Sequence, residues 1–271
     1  MSQPTLLLIA HGSRDPRHAA TVDALVRQVR AQQPGLAVDT AYLDHSAPRL
    51  PRVLERLAGR PAVAVPLLLN RAYHAKHDIP AALLAAGAGV GGDGGAGAGG
   101  GGGLPVAEVL GAPREELLLA ALERRLAEAG LRVADPVERA RTGLVLAAAG
   151  SSDPAADAAT RALAAHWGAR RGWAAVTVAY ASAGGPRVPE ALAELRAAGA
   201  ERTAVAPYLL APGLLPDRIA SAAAEAGADL VAPVLGAAPE LAKLVLARYA
   251  AVPAVAARQR AACVTARRQA A

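Results

Sequence analysis

His11 and His74 are the side chains of this sequence whose type and placement point most directly to chemistry. His11 ends the apolar run Leu6–Ala10 and is followed by Gly12-Ser13-Arg14-Asp15-Pro16. His74 lies in the polar segment Asn70–Pro80, which follows the apolar run 61–69. A short apolar run bounded by polar residues reads as a buried strand. In open α/β sheets, ligands sit at the carboxyl ends of the strands. Both imidazoles therefore arrive at one rim. Imidazole suits Fe(II), Co(II), Ni(II) and Zn(II). Two imidazoles and one carboxylate leave coordination positions open, as a site that passes metal on requires. Asp44, two residues past Tyr42 at the end of another expected strand, is the nearest carboxylate by the same logic. The metal site read from the sequence is His11, His74 and Asp44, with His11 and His74 also as the catalytic groups.

Plainer readings stand beside these. A single histidine at a strand end is more often a hydrogen-bonded structural residue; two on one rim favour function. His18 and His166 fall on expected helices and read as solvated. His45 adjoins Asp44 and either supports it or does nothing. His77 orients His74, binds substrate carboxylates, or is an exposed loop residue. Asp15 reads as a helix N-cap before Pro16. Ser13 either binds an anion at a helix start or shapes a turn.

The elements that position these residues repeat. A helix follows Pro16, with Val22, Leu25, Val26 and Val29 on one face. A strand is expected over 36–43 and a helix carrying Leu50, Val53, Leu54 and Leu57 after Pro48. Alternating strands and helices predict parallel sheets with helices on both faces. A shift of 138 carries Gly12 to Gly150, Pro16 to Pro154, Tyr42 to Tyr180 and Pro48 to Pro186. A shift of 141 carries Pro66 to Pro207, and one of 125 carries Val109–Ala112 to Val234–Ala237. The difference places an insertion of about 16 residues in the Gly-rich run 87–103, with the composition of a flexible loop and no phosphate-binding Lys-Ser/Thr ending. The predicted architecture is α/β: two similar domains related by internal duplication, each a four-stranded parallel sheet flanked by helices. They span 1–135, with the metal site, and 136–271, without the histidines. Ala149 stands where the first half has His11, and Leu214-Leu215-Pro216 lie near the position of His74. A scaffold kept without its imidazoles favours chemistry over structure for the first-half pair. A cleft between such domains is a natural ligand site.

Composition narrows the classes. The 271 residues hold no Phe, and aromatics make up 3%, so the cores must rest on Leu, Val and Ala. Net charge is +6, part of it in the segment Arg258–Arg268. That favours anionic ligands, but no basic-aromatic interleaving suggests nucleic acid. Cys263 is alone, which leaves no intrachain disulfide and no Cys-based metal site. No apolar run reaches membrane-spanning length, and none has a signal-peptide core. The expectation is a cytoplasmic protein, monomer or homodimer, with no membrane or nucleic-acid partner.

The combination Leu-Ile-Ala-His11-Gly-Ser-Arg, Ala-Tyr-Leu-Asp44, Val-Pro66-Leu-Leu-Leu and Tyr-His74-Ala-Lys-His77-Asp78-Ile-Pro80 resembles the sirohydrochlorin chelatases. These are class II tetrapyrrole chelatases that insert ferrous iron or cobalt in sirohaem or cobalamin synthesis. The resemblance covers nearly the whole chain, in the family's long two-domain form. It implies a cleft-bound macrocycle, a divalent metal (Fe2+ or Co2+) as substrate, held by the two histidines, and no nucleotide. The family often has Glu where this chain has Asp44. Ser13, Arg14, Arg71 and His77 are the expected substrate-binding residues, the arginines pairing with sirohydrochlorin carboxylates. Two rivals remain. One is a non-enzymatic metal or tetrapyrrole carrier on the same fold. The other is a histidine-phosphatase type of phosphoryl transfer, disfavoured because Ala10 stands where that chemistry wants Arg.

Overall fold

A computed structural model describes residues 3–70, 79–85, 90–91, 103–112, 115–253 and 255–256. The first half runs β1 (Thr5–Ala10), α1 (Pro16–Gln32), β2 (Val38–Tyr42), α2 (Leu50–Leu57), β3 (Ala62–Pro66), α3 (Ile79–Ala85), β4 (Val90–Gly91), β5 (Leu104–Pro105) and α4 (Glu116–Glu128). The second runs α5 (Pro136–Arg141), β6 (Thr142–Ala148), α6 (Pro154–Arg171), β7 (Ala175–Tyr180), α7 (Val188–Ala197), β8 (Arg202–Tyr208), α8 (Leu214–Glu225), β9 (Leu230–Val231) and α9 (Pro239–Ala251).

The central strands β1 and β6 are buried along their whole length. Helices cover both faces of such a strand, which is why it reads as continuous apolar sequence. The first helices of the two halves start alike. Asp15 and Asp153 cap them by accepting the N–H of Arg17 and Ala155, and Pro16 and Pro154 open them. Helix α1 buries Val22, Leu25, Val26 and Val29, the face that the spacing predicts.

All strand pairs are parallel, in the orders β2-β1-β3 and β7-β6-β8-β9. Even the register repeats: Ile9 lies between Ala41 and Pro66, and Ala147 between Ala179 and Pro207. One expectation needs correction. The first sheet has three strands rather than four. Its fourth place holds a single bridge, Ala64 to Val106, where the second half pairs Val205 with Val231. The neighbouring ladder position has Leu230 in the second half and Pro105 in the first. Proline has no N–H to donate, so the ladder stops there. Leu104–Pro105 pair instead with Val90–Gly91. The rest of the Gly-rich run 87–103, apart from Gly103, lies outside the described residues.

Each half hands its last helix to the other. Helix α4 packs on β8 and α9, and α9 packs on α1 and β3. Trp167 of α6 donates to Glu123 of α4 at 3.1 Å, and the Tyr249 hydroxyl of α9 donates to Pro4 O at 2.5 Å. Two arginines hold the crossing segments reciprocally. Arg125 of α4 donates to Leu235 O at 2.9 and 2.7 Å. Arg248 of α9 donates to Val109 O at 2.9 Å, Leu110 O at 3.0 Å and Glu115 at 2.8 Å. The result is a large apolar core shared by both halves, with Leu25, Leu118, Trp167 and Leu244 among its members, beside a smaller apolar cluster within each half. Arg248→Met strands two partly buried carbonyls and a carboxylate, which costs about 3 kcal/mol. We expect thermal denaturation to show a melting temperature roughly 5–10 °C lower.

Candidate metal and macrocycle site

The site begins at the carboxyl end of β1. The chain must turn there at once, because the N-cap Asp15 follows five residues after Ala10. Gly12 makes the turn with φ +92°, and a Cβ at Gly12 would stand 1.8 Å from Asp44 O. That close approach brings the loop after β2 against the loop after β1. The Asp44 N–H donates to His11 O at 2.8 Å. Ser46 Oγ donates to Ser13 O at 3.1 Å and accepts the Ser13 N–H at 3.2 Å. The Ser13 hydroxyl accepts the Asp15 N–H at 3.0 Å.

The second half builds this turn again. Gly150 has φ +92°, and its Cβ would stand 2.0 Å from Ala183 O. Ser151 Oγ accepts the Asp153 N–H at 3.0 Å, and the Ser182 N–H donates to Ala149 O at 2.9 Å. Ser13 thus does in the first half what Ser151 does in the second, and its hydroxyl serves the turn. The imidazole of His11 is the part the second copy lacks.

The other expected site residues divide. His74, Arg71 and His77 lie outside the described residues. Arg14 is exposed. The Asp44 carboxylate meets Arg49 at 2.7 Å, lies 3.4 Å from His45 Nε2, and accepts the His45 N–H at 2.8 Å. The His45 amide, then Arg49, hold it below the ordinary carboxylate pKa, so it stays an anion. His45 has φ +58° and reaches Asp44 from that turn. Among the described residues, no three His, Cys, Asp or Glu side chains gather as a metal cluster.

Two histidines depart from expectation. His18 is partly buried rather than solvated, with its ring 6.3 Å from that of Tyr42. Burial first, then the charge of nearby His11, lowers its pKa, so it stays neutral below the usual imidazole range. His166 is likewise withdrawn from solvent and bonds Glu116 of α4 at 2.7 Å. Both sit on helices as expected, but the faces they occupy are covered. The α1 periodicity, which marks Val22 and Leu25 as the buried stripe, also puts His18 beside that stripe.

Three contacts join the halves around the site. Tyr208, at the end of β8, donates to Leu69 O at 3.1 Å; burial and then Glu115 push its pKa up. Asn70 donates to Thr160 of α6 at 3.2 Å. Arg17, one turn past the loop of His11, pairs with Asp217 in the first turn of α8. Sequence reasoning passed over Arg17, because nothing in the chain relates it to a residue 200 positions away.

A family model, CbiX, matches residues 5–129 and again 143–252. The chain belongs to the CbiX family. The double match follows the internal repeat. Among solved structures, SirB from Bacillus subtilis with Fe3+ is 22% identical with a TM-score of 0.73, covering 92% of this chain and 94% of that one. The sirohydrochlorin chelatase SirB from Bacillus subtilis subspecies spizizenii, in complex with cobalt, is 21% identical with a TM-score of 0.67, covering 91% and 94%. A CbiX described as the terminal enzyme for siroheme biosynthesis in denitrifying bacteria is 22% identical with a TM-score of 0.65, covering 92% and 99%. These structures share the fold of the present CbiX chain over its two halves. No curated protein matches it. Among the described residues, no helix is long and apolar enough to cross a membrane.

Proposed function

We propose that this CbiX protein is a sirohydrochlorin chelatase that inserts a divalent metal, Fe2+ or Co2+, into the macrocycle. One observation carries the reading beyond the family match. The same strand-end turn is built twice, and one copy presents His11 where the other presents Ala149. The histidine is therefore not required to make the turn. Structures of the same fold that bear Fe3+ and cobalt support a metal substrate.

In this reading the macrocycle enters between the carboxyl ends of β1–β3 and those of β6–β8. His11 and His74 hold the metal; as it passes to the macrocycle two pyrrole protons leave, one to the imidazole that has released the metal, acting as general base, and the other to solvent. Asp44 supplies the carboxylate by turning from Arg49, an exchange that a half-exposed ion pair allows at little cost. Arg14, Arg71 and His77 meet substrate carboxylates at the rim. No nucleotide takes part. The reaction belongs to sirohaem or cobalamin synthesis.

The test is direct. Purified protein is mixed with metal-free sirohydrochlorin and Fe2+ or Co2+, and insertion is followed by the change in macrocycle absorbance. A spectrum that converts no faster than without protein, for both metals, ends the proposal. Uptake of metal and macrocycle without conversion identifies a carrier instead. The pH profile is a second check. Protons compete with metal for an imidazole lone pair, so the rate falls as pH drops through about 6.5. Asp44, already lowered, adds no loss in that window. A rate unchanged from pH 8 to pH 5 contradicts histidine ligation.

A further inference from the structure

Arg17 uses both edges of its guanidinium, and the two edges serve different halves of the molecule. The Nε/Nη2 edge meets Asp15, with Nε at 3.1 and 3.0 Å and Nη2 at 2.6 Å. Asp15 also caps α1 through the Arg17 N–H. That edge is anchored to the loop that carries His11. The outer edge crosses to α8, with Nη1 at 3.2 Å and Nη2 at 2.5 Å from the two oxygens of Asp217. This outer pair is open to water: the side chains of Arg17 and Asp217 are 52% and 54% exposed.

We infer that the outer edge of Arg17 is a receptor for a macrocycle carboxylate, and that Asp217 occupies it until the substrate arrives. The inference rests on the chelatase reading above and adds a specificity-determining residue to it. Three observations lead there. The planar fork already holds a carboxylate in the bidentate geometry it favours, so a substrate carboxylate can take the same place without rebuilding the site. The inner edge stays on Asp15 throughout, which keeps the guanidinium aimed. Exposed ion pairs contribute little to stability, so exchanging Asp217 for another carboxylate leaves the fold nearly unchanged. Leu214, three residues before Asp217, lies on the same side of α8 and is 71% exposed. The first turn of α8 thus offers an apolar surface beside the exchangeable charge, suited to a flat ring edged with carboxylates.

An exchange differs from a clasp between the halves in the sign of its effects. Metal-free sirohydrochlorin is titrated into wild type, Arg17→Gln, Arg17→Lys and Asp217→Asn, and the dissociation constant is read from macrocycle absorbance. Arg17→Gln removes the receptor and weakens binding about tenfold. Arg17→Lys keeps the charge without the fork and falls between. Asp217→Asn removes the competitor and tightens binding roughly threefold. If Asp217→Asn weakens binding as Arg17→Gln does, the pair is a clasp and the inference is wrong. Unchanged affinity in all variants overturns it equally. These outcomes differ from failure of the chelatase reading, in which the wild type itself neither binds nor metallates the macrocycle, and both fall. Melting temperatures within about 2 °C of wild type are expected, since the pair is exposed.

Discussion

His11→Ala is expected, on the proposed chelatase function, to lower the rate of metal insertion into sirohydrochlorin by about 100-fold or more and to leave the fold standing. In the proposed mechanism the loss is large because the substitution removes a metal-holding group and, if His11 takes the pyrrole proton, a general base as well. The fold survives because the protein already contains the experiment. In the second half, Ala149 follows β6, Gly150 turns with the same φ of +92° as Gly12, and Ser182 N–H bonds Ala149 O at 2.9 Å. The first half bonds Asp44 N–H to His11 O at 2.8 Å, a contact of the backbone that alanine keeps. His166→Gln is the control. That histidine bonds Glu116 on the face between α6 and α4, away from β1, and insertion should stay within about twofold of wild type. Initial rates under saturating metal and macrocycle, with melting curves for each variant, decide the matter. An active His11→Ala protein would remove the basis of the proposed mechanism.

Gly12→Ala is expected to damage both stability and activity, far more than the same change at Gly35. Both glycines have positive φ, +92° and +85°, a region that L residues occupy at a cost of about 1–2 kcal/mol. They differ in what surrounds them. Nothing lies within 4 Å of a Cβ at Gly35, whereas at Gly12 the Asp44 carbonyl oxygen would be 1.8 Å away. Backbone cannot swing aside as a long side chain does, so the loop bearing Asp44 must move. Gly35→Ala should lower the melting temperature by about 2–6 °C, and Gly12→Ala by roughly 10 °C or more. Gly150→Ala meets Ala183 O at 2.0 Å and should cost similar stability. Its folded fraction should insert metal faster than that of Gly12→Ala, because its turn carries no imidazole. Equal melting temperatures for Gly12→Ala and Gly35→Ala would show that the contact with Asp44 O does not constrain the turn.

The duplication could be read along the chain because each constraint behind it is local. Leu6–Ala10 has to be a strand covered on both faces, and the runs in the second half face the same demand. Asp15-Pro16 and Asp153-Pro154 are helix starts wherever they occur. Gly12 and Gly150 mark turns with positive φ, and a fixed shift relates them. From such signals the burial of the first strand, the α1 face and the position of His11 at the strand end all follow. The fourth place of the first sheet was harder. The duplication predicts four strands in each sheet, and one missing N–H at Pro105 reduces this one to a bridge.

What joins residues far apart in the chain was decided by packing. Periodicity puts His18 and His166 on helices, but whether a polar position faces water depends on what lies opposite. For His166 that is Glu116 of a helix contributed by the other half. The exchange of α4 and α9 leaves no local mark, since each helix is amphipathic whichever sheet it covers. Arg17 and Asp217 are ordinary first-turn residues until the two halves face each other. The sequence by itself determined the elements, their repetition and the imidazole at the strand end, because backbone conformation and hydrophobic period act over a few residues. The tertiary structure alone decided the shared core, the partly buried histidines and the ion pair between the halves, because those depend on surfaces that meet only after the chain has folded.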